Sequence, residues 1–289
     1  MKTKVLIFGG SGMLGRVFFE TQKNKYEIVP LARSDADITV FPTVLDQIAI
    51  HEPDIILNFA AYTNVASAEG IGKMEAIETN TLGAQNVAKA ASAFGIPLIF
   101  LSTDYIFDGK SENGYFPSDS LNPLNNYGIS KYLGEELSKR EYAETVIVRT
   151  SSLYGGPLFG NLSGHKHFIN RLIEQTKKGE KLRVVADSYT IPTSCIDLSF
   201  AITNLIDQIE EYQGSTLHFV NETSPNELIS WYDFALEIGK YASIENIESI
   251  RTAEYQTRVN RPKYAILRND STIHLPDWKT SLQEYFESV

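Results

Sequence analysis

Val5-Leu6-Ile7-Phe8-Gly9-Gly10-Ser11-Gly12-Met13-Leu14-Gly15 decides the fold. Four consecutive apolar residues read as a strand buried on both faces, and Gly9, Gly12 and Gly15 follow at three-residue spacing. Glycines in that place permit a tight turn, let the backbone approach a pyrophosphate and let a helix pack closely on the strand. A helix opening there, with Met13 and Leu14 in its first turn, offers free N–H groups and a partial positive charge to the anion. A glycine triplet alone is weak evidence. Its position between a first strand and a first helix makes it a dinucleotide-binding turn.

The same pattern recurs further along. Lys4–Phe8, Glu27–Leu31, Asp54–Phe59, Pro97–Leu101 and Thr145–Arg149 read as strands, with helices over Gly12–Thr21, Phe41–His51, Ala68–Phe94 and Asn126–Arg140 between them. Alternating strands and helices specify an α/β fold, a doubly wound parallel sheet of Rossmann type. After Arg149 the regularity decays at Gly155-Gly156-Pro157. Helices are expected around His167–Lys178, Asp197–Glu211, Trp231–Tyr241 and Thr280–Val289, with strands at Arg183–Val185 and Thr216–Val220, the latter rejoining the sheet. The expected division is a dinucleotide-binding domain of residues 1–160 plus about 192–221, with a smaller interleaved substrate lobe of about 161–191 plus 222–289.

The 289 residues suffice for a large core. A net charge of −10 argues against nucleic-acid or anionic-membrane binding, either of which needs a basic face. No apolar stretch approaches the ~20 residues of a membrane span, and the first apolar run is too short for a signal peptide. The single cysteine, Cys195, excludes an intrachain disulfide framework and reads as a buried core residue. A cytoplasmic protein is expected. No metal site is expected: His165 and His167 lack a third ligand. Glu135-Glu136 and Glu210-Glu211 read as solvated helix faces.

The second strand ends at Leu31-Ala32-Arg33-Ser34, where NAD-preferring enzymes place an acid for the ribose 2′-hydroxyl. Arg33 suits a 2′-phosphate instead, which favours NADPH, with NADH as the alternative because Asp35 and Asp37 are close. Asp37-Ile38 is placed beside the adenine ring, and Ala60, Ala61 and Tyr62 after the third strand leave room for the coenzyme. Tyr127 and Lys131 stand four apart on a helix, hence on one face. A phenol is a poor acid–base catalyst near its ordinary pKa of about 10, and a neighbouring ammonium is expected to lower that value while also reaching the coenzyme ribose. Thr103, at the carboxyl edge of the fourth strand, is placed to donate to an oxygen that gains negative charge, and Asp104 to accept from sugar hydroxyls.

With Gly9–Gly15, Ser102-Thr103-Asp104-Tyr105 and Tyr127–Lys131 in this order, the chain resembles the extended short-chain dehydrogenase/reductases. More narrowly it resembles the dTDP-4-dehydrorhamnose reductase family, through Asn58–Thr63, Ser102–Gly109, Arg149–Ser151, Ile191–Thr193, Trp231–Ala235, Arg261-Pro262 and Leu275–Trp278. The resemblance implies reduction of the C4 ketone of a dTDP-linked 6-deoxy sugar by NAD(P)H. Tyr127 would supply the proton, Lys131 would orient the ribose, and Thr103 with Asp104 would hold the sugar. Arg261, Trp231 and Trp278 are further pocket candidates. Ser152 stands where the family typically has a tryptophan against the sugar, so the sugar's identity is left open. A family magnesium site would fall at Val17, which cannot ligate a metal. The expected partner is a nucleotide-sugar substrate, and a homodimer is left open. The competing readings are a 4-epimerase or 4,6-dehydratase and a non-catalytic dinucleotide-binding subunit. Tyr105, where a dehydratase needs a second acid, counts against elimination.

Overall fold

The computed structural model describes residues 2–155, 168–255 and 259–288. In chain order the first half contains β1 (Lys4–Phe8), α1 (Met13–Gln22), β2 (Glu27–Leu31), α2 (Phe41–His51), β3 (Ile55–Asn58), α3 (Val65–Ala68), α4 (Lys73–Ile77), α5 (Ala84–Phe94), β4 (Leu98–Thr103), α6 (Asn126–Glu141) and β5 (Val146–Thr150). The second half contains β6 (Leu153–Tyr154), α7 (Phe168–Lys177), β7 (Leu182–Val185), β8 (Tyr189–Thr190), β9 (Thr193–Ser194), α8 (Cys195–Asp207), α9 (Ile209–Tyr212), β10 (Thr216–His218), α10 (Trp231–Ala242), β11 (Ile247–Ile250), β12 (Tyr264–Ala265) and α11 (Trp278–Glu287).

Six strands form one parallel sheet in the order β2-β1-β3-β4-β5-β10. The order reverses beside β1, where open α/β sheets leave a crevice for ligands at the carboxyl ends of the strands. Alternation along the strands assigns side chains to the two faces. Val5 and Ile7 join Leu14, Val17 and Phe18 of α1 and Leu198, Ile202 and Leu205 of α8. Leu6 and Phe8 join Val44 and Ile48 of α2 and Val87, Ala88 and Ala91 of α5. Each fully buried large aliphatic or aromatic side chain contributes roughly 1.5–3 kcal/mol, which is why both faces of the sheet are covered. Val17, where the resemblance would put a magnesium-binding acid, lies in the first of these cores.

A separate core gathers Leu172, Leu182, Phe234, Ile238, Trp278 and Leu282 from α7, β7, α10 and α11. Trp278 is therefore a packing residue. β7 pairs with β11, a strand the sequence pattern did not suggest.

One helix differs from expectation. In place of a continuous Ala68–Phe94, α3 stops before a turn at Gly70 and Gly72, α4 follows, and a π-helical turn at Glu78–Gly83 leads into α5. Gly72 is where the Tyr62 ring crosses, and a Cβ there would overlap its hydroxyl. The π turn buries Asn80, which bonds to the loop after β3. Likewise, Asp197–Glu211 starts earlier, because Ser194 caps α8 through the Ile196 and Asp197 N–H groups, and it breaks at Gln208. Cys195, in the first turn of α8, is fully buried, and that burial pushes its thiol well above the usual range. The expected start of the next helix at His167, the Gly156-Pro157 pair and His165 lie outside the described residues.

Candidate active site

Gly9 has φ +83°, the left-handed region that favours glycine. A Cβ there would lie 2.5 Å from the Ala60 nitrogen. One on Gly15 would lie 2.6 Å from the Gly9 carbonyl oxygen. The first closeness sets the loop after β3 against the glycine turn, and the second sets α1 against β1. Gly12 is the N-cap of α1, makes no side-chain cap hydrogen bond, and has no acid in the following turn. The first N–H groups of that helix are thus available to an anion. Met13 and Leu14 turn their side chains toward the α1 core, leaving the backbone as their possible contribution.

A cavity of about 410 Å³ runs from this turn across the sheet. Gly9, Gly12, Arg33, Asp37, Ile38, Ala60, Ala61 and Tyr62 line it, so eight of the predicted coenzyme residues converge from β1, β2 and β3. Ser11, Thr63, Asn64, Glu75 and Thr79 also line it and were not foreseen. Glu75 and Thr79 arrive from α4 and the π turn, whose break could not be read from the pattern. Asn80 holds the Tyr62 wall of this cavity to α6: its Oδ1 accepts from the Tyr62 N–H at 2.7 Å, and its Nδ2 donates to the Tyr62 carbonyl at 3.0 Å and to Ser130 Oγ at 2.9 Å.

The residues expected from the sequence to handle the proton lie on β4 and α6 and in the turn between them. Asn125 caps α6 by accepting from the Gly128 N–H at 2.9 Å, and its Nδ2 donates to the Asn260 carbonyl at 3.0 Å. Gly128 packs against the Tyr105 carbonyl, where a Cβ would overlap it. This close approach sets Tyr127 edge-on to Tyr105, with ring centroids 5.7 Å apart, and near enough to Thr103 for that hydroxyl to influence the phenol.

The hydroxyl proton of Thr103 goes to Asp104 Oδ1 at 2.9 Å, and its oxygen accepts from the Tyr105 N–H. The geometry therefore directs Thr103's proton to Asp104, whereas the sequence reading directed it to the substrate oxygen. Asp104 is buried, which pushes its carboxyl up to about 7. Burial also raises the Tyr127 phenol, outweighing the lowering by the neighbouring Thr103 hydroxyl, while the negative charges available to Asp104 and Tyr105 add to the rise. Lys131 is not among the groups that set Tyr127, so the expected lowering by the ammonium is not what this arrangement gives. Lys131 instead donates to the Leu101 carbonyl at 2.7 Å and lies 4.1 Å from the centroid of the Phe100 ring. Burial pulls its pKa down to about 7, partly opposed by Glu135.

A buried lysine with a depressed pKa costs stability at neutral pH. The folded state disfavours the proton that the unfolded chain keeps until about pH 10.4. The penalty is largest below pH 7 and fades as pH rises from 7 toward 10. Lys131→Met is therefore expected to raise the melting temperature of the coenzyme-free protein, by less at pH 9 than at pH 7, while weakening coenzyme binding. Thermal unfolding at the two pH values checks this, and a loss of stability at both would refute it.

Glu135 is not the solvated residue expected. It is buried on α6, where Arg149 of β5 pairs with it at 2.7 Å. The α6 face that presents Lys131 to β4 turns inward again one turn later, while Glu136, Glu210 and Glu211 are exposed.

A second cavity, of about 570 Å³, lies at the smaller core and has Tyr105 in its wall. Arg171, Arg183, Arg261 and Lys263 line it against one carboxylate, Asp187, and Trp231 supplies an aromatic face. This is a local basic pocket on an acidic protein. The Nε of Arg261 is buried with no hydrogen-bond partner among the described residues, and its charge acts on Tyr105. Ser152 lines neither cavity. It adopts φ +42° and pairs its hydroxyl with that of Thr190 at 2.5 Å.

Residues 3–289 match the family described as RmlD substrate binding domain. The chain is 32% identical to the spore coat polysaccharide biosynthesis protein SpsK of Bacillus subtilis, over 99% of this chain and 97% of that one. It is 32% identical to dTDP-4-dehydrorhamnose reductase of Aggregatibacter actinomycetemcomitans, over 97% of each. Among solved structures, dTDP-4-dehydrorhamnose reductase from Bacillus anthracis in complex with NADP superposes with a TM-score of 0.91 at 33% identity, covering 100% of both chains.

Proposed function

The chain belongs to the RmlD substrate binding domain family, and from that membership we propose that it is an NADPH-dependent reductase of a nucleotide-linked 4-keto-6-deoxy sugar. The observation that supports this reading is Tyr105, edge-on to Tyr127 and in the wall of the basic cavity, together with the glycine cradle at α1 beside the other cavity; Thr103, Tyr127 and Lys131 are not among the residues that line either one.

The residues present fit the coenzyme. Gly9 and Gly15 leave the space that side chains would fill, and α1 opens without a cap. Gly9, Gly12 and the first turn of α1 would hold the pyrophosphate, Arg33 the 2′-phosphate, Asp37 and Ile38 the adenosine, Ala60, Ala61 and Tyr62 the middle of the molecule, and Lys131 the nicotinamide ribose. When bound, NADPH supplies the hydride. Tyr127 gives its proton to the ketone oxygen as that oxygen becomes an alkoxide, so one hydride and one proton make the secondary alcohol. Burial keeps the phenol protonated at neutral pH, which is the form a reduction needs. Thr103 donates to Asp104 Oδ1, which holds that carboxyl in place beside Tyr105. Arg261 and its basic neighbours receive the diphosphate, and Trp231 offers a face for stacking.

The alternative of elimination is disfavoured at Tyr105. Burial lifts this phenol to about 12, and it supplies no carboxylate at the dehydratase's second-acid position. The reading is tested by NADPH consumption with a dTDP-4-keto-6-deoxyhexose. No turnover with any nucleotide-linked 4-ketohexose, in the presence of measurable NADPH binding, would contradict it.

We further assign residues 1–160 plus about 192–221 to coenzyme binding and about 161–191 plus 222–289 to the substrate lobe; the distinct core of α7, β7, α10 and α11 supports the division, while Ile273 and Leu275 cross it into the sheet core and Tyr154 crosses it into the lobe core. A homodimer is the proposed assembly, through the exposed Met74, Leu82, Ile129 and Leu133 of the neighbouring α4, π turn and α6. Its mass in solution checks this. Among the described residues no helix is long and apolar enough to cross a membrane, and the proposed location is the cytoplasm, which a single buried thiol fits.

A further inference from the structure

Arg33 stands at the end of β2 between two carboxylates. Its Nε donates to Asp37 Oδ2 at 3.0 Å and its Nη1 to Glu75 Oε1 at 2.8 Å. Among the residues lining the smaller cavity, Arg33 is the one cation and these are the two acids. Asp37 is also tied to its own loop, its Oδ1 accepting from the N–H and hydroxyl of Thr39. Glu75 comes from a different element, the first turn of α4. Its side chain is 47% exposed and that of Arg33 is 65% exposed, so a ligand entering the cavity can reach both.

We propose that Glu75 is a specificity-determining residue that holds back the preference for NADPH over NADH by engaging the edge of Arg33 that a 2′-phosphate would use. The inference rests on the assignment of this groove to the coenzyme. A guanidinium holds a phosphate best through two parallel N–H bonds. With Nε on Asp37 and Nη1 on Glu75, the phosphate must displace a carboxylate or share a donor with it. It also meets the negative charge of Glu75 across a short, solvent-screened gap. NADH carries no 2′-phosphate and escapes both penalties. The two pairs raise the already high pKa of Arg33, so its charge is permanent and the control lies in the acids.

The test is equilibrium binding of NADPH and of NADH to the full chain, followed by calorimetry or coenzyme fluorescence, so that no turnover is required. Glu75→Gln keeps the size of the side chain and removes its charge. The ratio of the NADH Kd to the NADPH Kd is expected to rise about three- to fivefold at low salt, the range for an exposed ion pair, and to rise less at high salt. In an Arg33→Ala background the same substitution is expected to move the ratio by less than about twofold, because Glu75 acts through Arg33. An unchanged or lower ratio in Glu75→Gln would overturn the proposal, and so would an equal rise without Arg33. Failure of the wild-type chain to bind either dinucleotide would overturn the groove assignment itself, an outcome distinct from intact binding with an unmoved ratio.

Discussion

Tyr127→Phe is expected to lower kcat by about 10²- to 10⁴-fold while leaving the Kd for NADPH within about twofold of wild type. The substitution removes one oxygen and keeps the ring that meets Tyr105 edge-on at 5.7 Å, so packing is preserved. The lost group is the phenol hydroxyl, which stays protonated at neutral pH and whose pKa burial raises further. Without it the developing alkoxide has water as its proton source, in a site where the surrounding Thr103 and Asp104 are buried. An interaction made mainly in the transition state changes kcat and kcat/KM together and leaves coenzyme affinity alone. Parallel measurements of turnover and of NADPH binding separate the two. Undiminished turnover would remove Tyr127 as the acid.

The largest expected effect on stability belongs to Arg149→Met. Arg149 and Glu135 have only 5% and 3% of their side chains exposed. Nε of Arg149 lies 3.1 and 3.2 Å from the two Glu135 oxygens, Nη2 lies 2.7 Å from Oε2, and Nη1 donates to the Pro117 carbonyl. His218, beside this pair, is kept neutral because burial and the Arg149 charge push its pKa down to about 3. It therefore adds no competing cation. Removing the guanidinium leaves the Glu135 carboxylate buried and without its counter-charge, at a cost of roughly 3–5 kcal/mol. That is a large share of the ~5–15 kcal/mol by which a domain is held folded. Replacing both partners by apolar residues, Arg149→Met with Glu135→Leu, is expected to recover most of the loss, because the pair's attraction is largely offset by its desolvation. Urea unfolding of the two single variants and the double variant checks this. Equal losses in the double and in Arg149→Met would show that the unpaired charge is not the cause.

The sheet was legible because its strands are short apolar runs with no competing period, and the glycine turn marks where the first one ends. β1, β2 and α2 lie at the predicted residues. β4 runs two residues further than expected and so carries Ser102 and Thr103 within the strand. The alanine-rich stretch before residue 94 read as one helix because local pattern does not register what crosses it. Tyr62 at Gly72 and the Asn80 bonds to Tyr62 are tertiary events. For the same reason Glu75 was invisible: its partner Arg33 is 42 residues away. The Tyr127–Lys131 spacing placed both residues on one helix correctly, but spacing carries no information on desolvation. Burial dominates both groups and moves the phenol up rather than down. Glu135 looked like surface because a charged pair in a helix usually is. Its partner on β5 makes it the exception.

The most direct trial of the account follows the fate of a label. The chain is supplied with NADPH deuterated on the reactive face of nicotinamide C4 and with a dTDP-4-keto-6-deoxyhexose, and the sugar is examined by NMR. The account predicts one deuterium at C4 of the resulting 6-deoxyhexose for each coenzyme oxidised, with formation of this product nearly abolished by Tyr127→Phe. Coenzyme oxidation that leaves C4 of the sugar unlabelled, or labelling that proceeds at the wild-type rate without the Tyr127 hydroxyl, would contradict it.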